Sequence, residues 1–337
     1  MSGEGTGRIP PWMWALAAVA TVGGVALLAS RDRRPEPPQS FRYEMGDLER
    51  VDPASVIFSE TAPIEPEILA LHAVAATPDG RIYAAGEGAV AVCDLDGALL
   101  GRYAVMGTPT CMAVAPDGEI LLGMTDRIAV IEAGGAPKAD WTGLGDQAHV
   151  TAIVADAEHV YVADAGNRVV LCLDRQGNPM ARIGEEDAAK DIPGLIVPSP
   201  YFDVALDDGG ALWAVNPGRH GLESYRPNGE LITAWYRPSM EIDGFCGCCN
   251  PCHVAFRPDG TLVTAEKGIA RVKLYSVERK LLGVVAGPEA FRGGPTEAFS
   301  GDLHVPFGDL AVDARGRVLV IDVNRNAIRV FEEKEPA

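Results

Sequence analysis

One short pattern recurs along most of this 337-residue chain and limits the folds that it can adopt. Each copy is a four-residue run centred on small or apolar residues and followed by a turn, as in Ala73-Val74-Ala75-Ala76 before Pro78-Asp79-Gly80. The six copies are separated by about 40 to 55 residues and begin at Ala73, Cys111, Thr151, Asp203, His253 and Asp309. This spacing is typical of a propeller blade rather than of a helical solenoid. The sequence therefore predicts an all-β fold, a six-bladed β-propeller.

Within each copy the pattern predicts four short strands separated by turn residues. In the first copy the strands after the opening run are residues 82–85, 89–93 and 99–105, and Asp96-Gly97 supplies one of the tight turns. The last copy has only three predicted strands. We therefore expect an extended piece of residues 41–60 to complete that blade and to remove the exposed edges of an open ring.

The N-terminal region differs in character from the repeats. No charged residue occurs from Trp12 to Ala29, and roughly 19 helical residues cover about 28 Å, close to the hydrocarbon thickness of a bilayer. A cleaved signal peptide is the alternative, but no small-x-small cleavage site follows the apolar run. We therefore expect one N-terminal transmembrane helix. The predicted segments are 1–11 as a tail, 12–30 as the membrane anchor, 31–40 as a Pro/Arg tether, 41–64 as the closing segment, 65–331 as the propeller and 332–337 as a charged tail.

The charge of the chain bears on its partners and on its orientation in a membrane. There are 29 basic and 47 acidic side chains, which give a net charge of -18. Such a protein repels phosphate backbones, so nucleic acid is not an expected partner. Arg31, Arg33 and Arg34 follow the predicted anchor whereas Arg8 alone precedes it, a bias that favours a cytoplasmic propeller.

The segment from residue 245 to residue 253 contains four of the seven cysteines of the chain. Cys246, Cys248 and Cys249 together with His253 offer three sulfur atoms and one nitrogen atom, and Cys252 is a weaker additional ligand. Thiolate and imidazole groups in one compact loop suit a mononuclear metal ion or an iron-sulfur cluster. We therefore regard this loop as a candidate metal or redox site.

Three other interpretations of the cysteine loop remain open. Cys246 could form a disulfide with Cys249 or Cys252, or the thiols could be chemically inert. Residues 249–253, Cys-Asn-Pro-Cys-His, have the form of a c-type haem attachment sequence. Cys249 could also be a catalytic nucleophile if a neighbouring histidine or Lys267 lowers its pKa.

Propeller topology places further polar residues at one mouth of the central channel. The innermost strands begin at this mouth, and the turns between second and third strands lie on the same face. The candidate channel-rim residues are His72, His149, Asp203, Arg219, His220, Glu266, Lys267, His304, Asp309, Asp322 and Arg325. Each could equally be a solvated loop residue or a hydrogen-bonded strand end. The gathering of five histidines on one face, with His253 included, favours a functional site.

Several segments resemble the NHL-repeat propeller family. Residues 161–170, Tyr-Val-Ala-Asp-Ala-Gly-Asn-Arg-Val-Val, match the strand-turn-strand signature of the repeat, and residues 321–330 repeat part of it. The likeness covers most of residues 65 to 331. Further segments resemble a membrane-tethered bacterial subfamily, namely 197–203, 216–220, 264–268, 271–273 and the cysteine loop.

The subfamily resemblance has consequences for the site and for the location. Its motif is Phe-Cys-Gly-Cys-Cys-Asn-Pro-x-His, so Cys246, Cys248, Cys249 and His253 match it and Cys252 lies at the variable position. The resemblance implies a single-pass protein of the bacterial inner membrane with an extracytoplasmic propeller, against the arginine bias. The resemblance supports the predicted fold more strongly than it supports any particular activity.

Three functions are compatible with these features. The first is an accessory to a membrane redox or metal-handling complex, with the Cys/His site at the channel mouth and other membrane-associated proteins as partners. The second is a protein-protein interaction scaffold in which the cysteine loop is only structural. The third is a metal-dependent lyase or hydrolase that uses a histidine-bound ion in the channel.

Overall fold

Twenty-four short strands form six four-stranded antiparallel sheets in the described part of the chain. The structure is a computed structural model that describes residues 50–187, 194–247, 249–291 and 307–335. The predicted six-bladed propeller is confirmed. Each sheet is one blade, and the innermost strands of neighbouring blades contact one another around the channel.

The strand bounds follow the predicted repeat closely. Blade one consists of β2 (Ala73–Ala76), β3 (Arg81–Gly86), β4 (Ala89–Asp94) and β5 (Leu99–Ala104). Blade two consists of β6 (Cys111–Val114), β7 (Ile120–Gly123), β8 (Ile128–Ile131) and β9 (Pro137–Trp141). Blade three consists of β10 (Val150–Ala155), β11 (His159–Asp164), β12 (Val169–Asp174) and β13 (Pro179–Ile183).

The other three blades have the same order of strands. Blade four consists of β14 (Val204–Leu206), β15 (Leu212–Asn216), β16 (Gly221–Tyr225) and β17 (Leu231–Tyr236). Blade five consists of β18 (His253–Phe256), β19 (Leu262–Glu266), β20 (Arg271–Tyr275) and β21 (Leu281–Ala286). Blade six consists of β22 (Phe307–Val312), β23 (Val318–Asp322), β24 (Ala327–Glu333) and β1 (Phe58–Glu60). Short 3₁₀ helices occupy Pro53–Ser55, Pro217–Arg219 and Pro288–Phe291.

The last blade is completed by a strand from the opposite end of the chain. β1 pairs antiparallel with β24, with Phe58 opposite Glu333 and Glu60 opposite Phe331. The Arg329 guanidinium donates to Glu60, with 2.7 Å between Nε and Oε1. The two ends of the described chain are therefore held in one sheet, and the ring is closed by backbone hydrogen bonds.

Burial differs between the strands of a blade in the way that a propeller requires. The second and third strands are almost fully buried, as in Leu212–Asn216 and Gly221–Tyr225, because both of their faces pack against neighbouring blades. The fourth strands lie at the periphery and are largely exposed, as in Leu231–Tyr236. Residues of all six inner strands line the central channel, where the inner strands of neighbouring blades contact one another.

Several predicted features lie outside the described residues. These are the tail 1–11, the membrane anchor 12–30, the tether 31–40, and the candidate ligands Cys248 and His304. Among the described residues, no helix has the length and apolar character needed to cross a bilayer.

Candidate functional site

Equivalent positions of the repeat, at or beside the start of the six innermost strands, supply the chemistry at the mouth of the channel. In the order of the blades these positions hold Ala73, Cys111, Thr151, Asp203, His253 and Asp309. The equivalent position in each repeat therefore carries a different side chain. Blades four, five and six are neighbours, and their residues at this position are two carboxylates on either side of an imidazole.

Asp203, His253 and Asp309 come together in one cluster. His253 Nδ1 lies 3.4 Å from Asp203 Oδ2 and 3.9 Å from Asp309 Oδ1. One potential ligand atom from each residue lies within 4.8 Å of the others. The side chains are mostly buried, with 9%, 13% and 17% of Asp203, His253 and Asp309 exposed. The cluster is thus shielded by the blades and still reached by solvent from the channel.

Backbone amides hold both carboxylates in place. Val254 N–H donates to Asp203 Oδ2 over 2.9 Å, and Val74 N–H donates to Asp309 Oδ2 over the same distance. Each bond joins one blade to the next, from blade four to blade five and from blade six to blade one. The second oxygen of each carboxylate accepts from the next amide of its own strand, at 2.7 Å for Asp203 and 2.8 Å for Asp309. The carboxylates are therefore oriented before any ligand binds.

The protonation of the cluster is unusual because two acidic groups share a buried space. Burial, together with the charge of Asp203, raises the pKa of Asp309 to about 7, although His253 opposes the shift. Burial lowers the pKa of His253, but the hydrogen bond and charge of Asp203 and the charge of Asp309 outweigh it, and the pKa rises above its ordinary value. Near neutral pH the cluster therefore retains a proton that a divalent cation would displace.

The remaining ring positions do not add metal ligands. The Thr151 hydroxyl donates to the Phe202 carbonyl over 2.6 Å and so links blade three to blade four. Burial raises the pKa of the Cys111 thiol, which keeps it protonated and neutral. Below the ring, the channel contains a cavity of about 250 Å³ whose lining includes Asp203 and Asp309. There is room in it for water or for a small group bound to an ion.

The cysteine loop is organised by the side chain of Asn250, of which only 2% is exposed. Its amide donates to the carbonyls of Cys246 and Lys267 over 2.6 and 2.9 Å, and its oxygen accepts from Lys267 N–H over 2.8 Å. The loop is thereby fastened to the turn between β19 and β20. Because these bonds satisfy buried backbone groups, they stabilise this loop conformation.

The described cysteines of the loop point to different surroundings. Cys252 is fully buried in the apolar core between blades five and six, and its thiol donates to the Ala265 carbonyl at 3.2 Å. Cys249 lies 2.9 Å from the Ser199 hydroxyl, and Cys246 lies 3.7 Å from the Arg271 guanidinium. Among the described residues, no group of three potential ligands includes a cysteine. Because Cys248 lies outside those residues, the four-ligand Cys/His site stays a prediction.

A buried charge network supports the cysteine loop from below. Glu266 accepts from Arg271 at 3.0 Å and from Lys273 at 2.6 Å, and all three side chains are almost fully buried. Lys273 also donates to the Gly244 carbonyl over 2.6 Å at the start of the loop. Burial lowers the pKa of Lys273 to about 8, although Glu266 opposes the shift. The predicted rim residue Glu266 is therefore part of the internal support.

Other predicted rim residues have structural partners. Asp322 accepts from two backbone amides of its own turn and pairs with Arg325 at 2.7 Å. His149 is half-buried, and its N–H donates to Asp164 over 2.9 Å. Two further rim residues lie over aromatic rings, Arg219 over Tyr236 and Lys267 over Tyr201. His220 ends a 3₁₀ helix in a left-handed conformation, and His72 is exposed.

The cysteine motif predicts that His253 is a metal ligand together with the cysteines. In the structure its imidazole lies beside Asp203 and Asp309. The signal for this pairing was present, because the three residues occupy one position of the repeat. Glu223, Arg271 and Lys273 are not among the predicted site residues. The sequence feature that could have identified them is a charged residue within a strand that is buried on both faces.

Comparison with known proteins supports the fold. No protein-family model and no curated protein matches the chain. A streptogramin B lyase structure aligns with a TM-score of 0.54 at 10% identity, covering 82% of this chain and 97% of that one. The WD40 propeller domain of Doa1 aligns at 0.54 and 12% identity, covering 82% and 98%. A Bacteroides thetaiotaomicron protein of unknown function aligns at 0.55 and 13% identity, covering 82% and 72%. At these identities the comparisons show a shared fold and no more.

Proposed function

We propose that this propeller binds a divalent cation at the mouth of its central channel through Asp203, His253 and Asp309. The observation that carries the proposal is the convergence of two buried carboxylates on one imidazole, with backbone amides fixing both carboxylates. Two like charges in a buried space repel each other unless a proton or a cation lies between them. A divalent cation supplies that compensation and gains three ligands.

The geometry fits an ion that prefers oxygen and imidazole ligands. An ion with bonds of about 2.1 Å places adjacent ligand atoms roughly 3.0 to 3.4 Å apart. The observed separations from His253 Nδ1 are 3.4 and 3.9 Å, and the three ligand atoms all lie within 4.8 Å of one another, so the side chains must draw closer to hold an ion. Carboxylate-rich sites suit Mn²⁺, Mg²⁺ and Zn²⁺. The positions left free on the ion face the channel and take water or an oxygen atom of a ligand.

Titration with Mn²⁺ tests the proposal, because Mn²⁺ binds carboxylates well and thiolates poorly. Chelator-treated protein should bind one Mn²⁺ in isothermal titration calorimetry. Asp203→Asn and Asp309→Asn should weaken binding at least 100-fold, and Cys249→Ser should leave it unchanged. His159→Ala is the matched control, since His159 begins β11 and pairs with Asp156 at 3.3 Å, at the end of the β10–β11 pair opposite Thr151.

A parallel titration with Zn²⁺, which accepts thiolate, imidazole and carboxylate ligands, separates this proposal from the cysteine site. If Cys246, Cys248, Cys249 and His253 hold the ion, Cys248→Ser and Cys249→Ser will abolish metal binding while Asp309→Asn retains it. An iron-sulfur cluster or a c-type haem would in addition give a visible absorption band. Wild-type protein without Mn²⁺ binding would leave the interaction scaffold as the better account.

We also propose that residues 12–30 anchor the propeller to the bacterial inner membrane with the propeller outside the cytoplasm. The support is the uncharged stretch from Trp12 to Ala29 and the subfamily resemblance. A reporter fused after Ala337 tests the orientation. Phosphatase activity of the fusion supports it, and fluorescence of a reporter that matures only in the cytoplasm contradicts it.

A further inference from the structure

A second cavity, of about 660 Å³, lies between blades three and four. It runs along β16 and β17 and reaches the end of β13, and it shares no lining residue with the channel cavity. Glu223, Tyr225 and Tyr236 form its inner wall together with Arg219. This site is therefore independent of the proposed metal ion.

The inner wall holds a carboxylate that is fixed by neutral donors. Only 5% of Glu223 is exposed. Its Oε1 accepts from the Asn216 amide over 2.8 Å and from the Tyr236 hydroxyl, and its Oε2 accepts from the Tyr225 hydroxyl. Burial and the neighbouring Glu223 raise the pKa of Tyr236 to about 12 and that of Tyr225 still further. Both hydroxyls therefore keep the protons that they donate to Glu223.

The charge of Glu223 has no basic partner in the described part of the chain, where its contacts are the amide and the two hydroxyls. The described residues that line the cavity carry five carboxylates and two guanidinium groups. Arg182 is already paired with Glu185 at 2.8 Å. The Arg219 guanidinium lies 5.7 Å from the centre of the Tyr236 ring, and its hydrogen bond to the Tyr236 hydroxyl opposes the rise in the pKa of that tyrosine. A buried carboxylate that faces a cavity with excess negative charge is most stable when a cation enters.

We propose that this cavity binds a ligand through a guanidinium or primary ammonium group, with Glu223 as its counter-ion. The bound group donates charge-assisted hydrogen bonds to Glu223, which are among the stronger hydrogen bonds in proteins. The tyrosine hydroxyl protons are directed at Glu223, so the hydroxyl oxygens act as acceptors. The Tyr236 oxygen accepts from Arg219, and the Tyr225 oxygen can accept an N–H bond of the ligand. A volume of about 660 Å³ suits either a small molecule or one long basic side chain of a partner.

The test compares two small molecules of the same shape, n-butylguanidinium and neutral n-butylurea. Calorimetry with the intact protein should show binding of n-butylguanidinium and at least tenfold weaker binding of the urea. Glu223→Gln should weaken n-butylguanidinium binding at least tenfold and leave the urea unaffected. Tyr236→Phe keeps the charge and removes one hydroxyl, so a smaller loss is expected. Glu278→Gln is the control, because Glu278 is an exposed carboxylate outside the cavity that accepts from a serine hydroxyl.

The source of the cationic group is distinguished by a blocked Gly-Arg-Gly peptide. Binding of the peptide as tight as that of n-butylguanidinium assigns the cavity to a side chain of a protein partner, and exclusion of the peptide assigns it to a free small molecule. If Glu223→Gln does not fold, the Tyr236→Phe variant and the comparison of n-butylguanidinium with n-butylurea on wild-type protein still test the proposal. Equal binding of the guanidinium and the urea, or no binding of either by wild-type protein at 10 mM ligand, would overturn the proposal.

Discussion

At the scale of single residues, one position of the repeat, at or beside the start of each inner strand, determines the chemistry at the mouth of the channel. Alanine, cysteine and threonine at this position in blades one to three contribute packing and hydrogen bonds. Aspartate and histidine in blades four to six create a charged cluster on the same backbone frame. The difference lies in side chains alone, so the cluster can be altered without changing the fold.

The raised pKa of Asp309 leads to a testable dependence of stability on pH. The folded protein keeps the Asp309 proton up to a pH of about 7, whereas the unfolded chain loses it near its ordinary value. Between those values the folded state binds more protons, so stability falls as pH rises. His253, whose pKa is also raised, contributes in the same direction. In chelator, wild type should lose about 1 to 3 kcal/mol relative to Asp309→Asn between pH 5 and pH 8 in urea unfolding. If the stability of wild type relative to Asp309→Asn stays constant or rises between pH 5 and pH 8, the raised pKa of Asp309 is contradicted.

Asn250 provides a second prediction at this scale. Asn250→Ala removes three hydrogen bonds and leaves two carbonyls and one N–H buried without partners. We expect a loss of about 2 to 4 kcal/mol in the free energy of unfolding, measured by chemical denaturation. Asn228→Ala is the control, because Asn228 makes one exposed bond to Glu230 N–H. Equal effects of the two changes would show that the loop does not depend on Asn250.

At the scale of strands and turns, close contact between backbones restricts which residues a strand can carry, as at Gly221 in blade four. A Cβ atom added at Gly221 would lie 2.0 Å from the Trp235 carbonyl oxygen and 2.7 Å from Tyr236 Cα, where β16 begins beside β17. Backbone atoms cannot move aside as a flexible side chain can. Glycine is thus required at position 221 because the neighbouring backbone leaves no space for a Cβ atom, and not because of its φ angle.

Gly221→Ala should therefore lower stability severely, by about 3 kcal/mol or more, or prevent folding of blade four. Gly134→Ala should be nearly neutral, because no atom lies within 4 Å of the added Cβ. Thermal unfolding of both variants checks the prediction. A similar melting temperature for the two would show that blade four adjusts more easily than its geometry indicates.

Closure of the ring gives a prediction for β1. Removing residues 1–60 deletes β1 and exposes the edge of β24, whereas removing residues 1–49 keeps it. We expect the shorter truncation to leave the propeller folded and the longer one to lose several kcal/mol or to aggregate. Size-exclusion chromatography and urea unfolding of the two proteins make the comparison. Equal behaviour would show that the ring does not need its N-terminal strand.

At the scale of the whole molecule, the repeat pattern was sufficient to predict the fold. The four strands per repeat and the turn residues between them gave the strands of blade one to within about two residues. The three-stranded last repeat led to the pairing of Phe58–Glu60 with the last strand. Periodicity of this kind is local, so it can be recognised without knowledge of tertiary contacts.

The site could be predicted only in part, because it depends on contacts between blades. The sequence showed that Asp203, His253 and Asp309 occupy equivalent positions, but it did not show how near their side chains lie. The nearby cysteines directed attention to another set of ligands. Glu223 and its tyrosines come together through the pairing of β15, β16 and β17, and no short motif marks them.

The central claim is that His253 and two aspartates hold a divalent cation at the channel mouth. Pulsed electron paramagnetic resonance of Mn²⁺ bound to protein labelled with ¹⁵N-histidine tests it most directly, because a coordinated imidazole nitrogen couples to the manganese spin. We predict one coupled nitrogen at one Mn²⁺ per chain, and loss of the coupling in His253→Gln but not in His159→Ala. Stoichiometric Mn²⁺ without nitrogen coupling, or with coupling that survives His253→Gln, would contradict the claim.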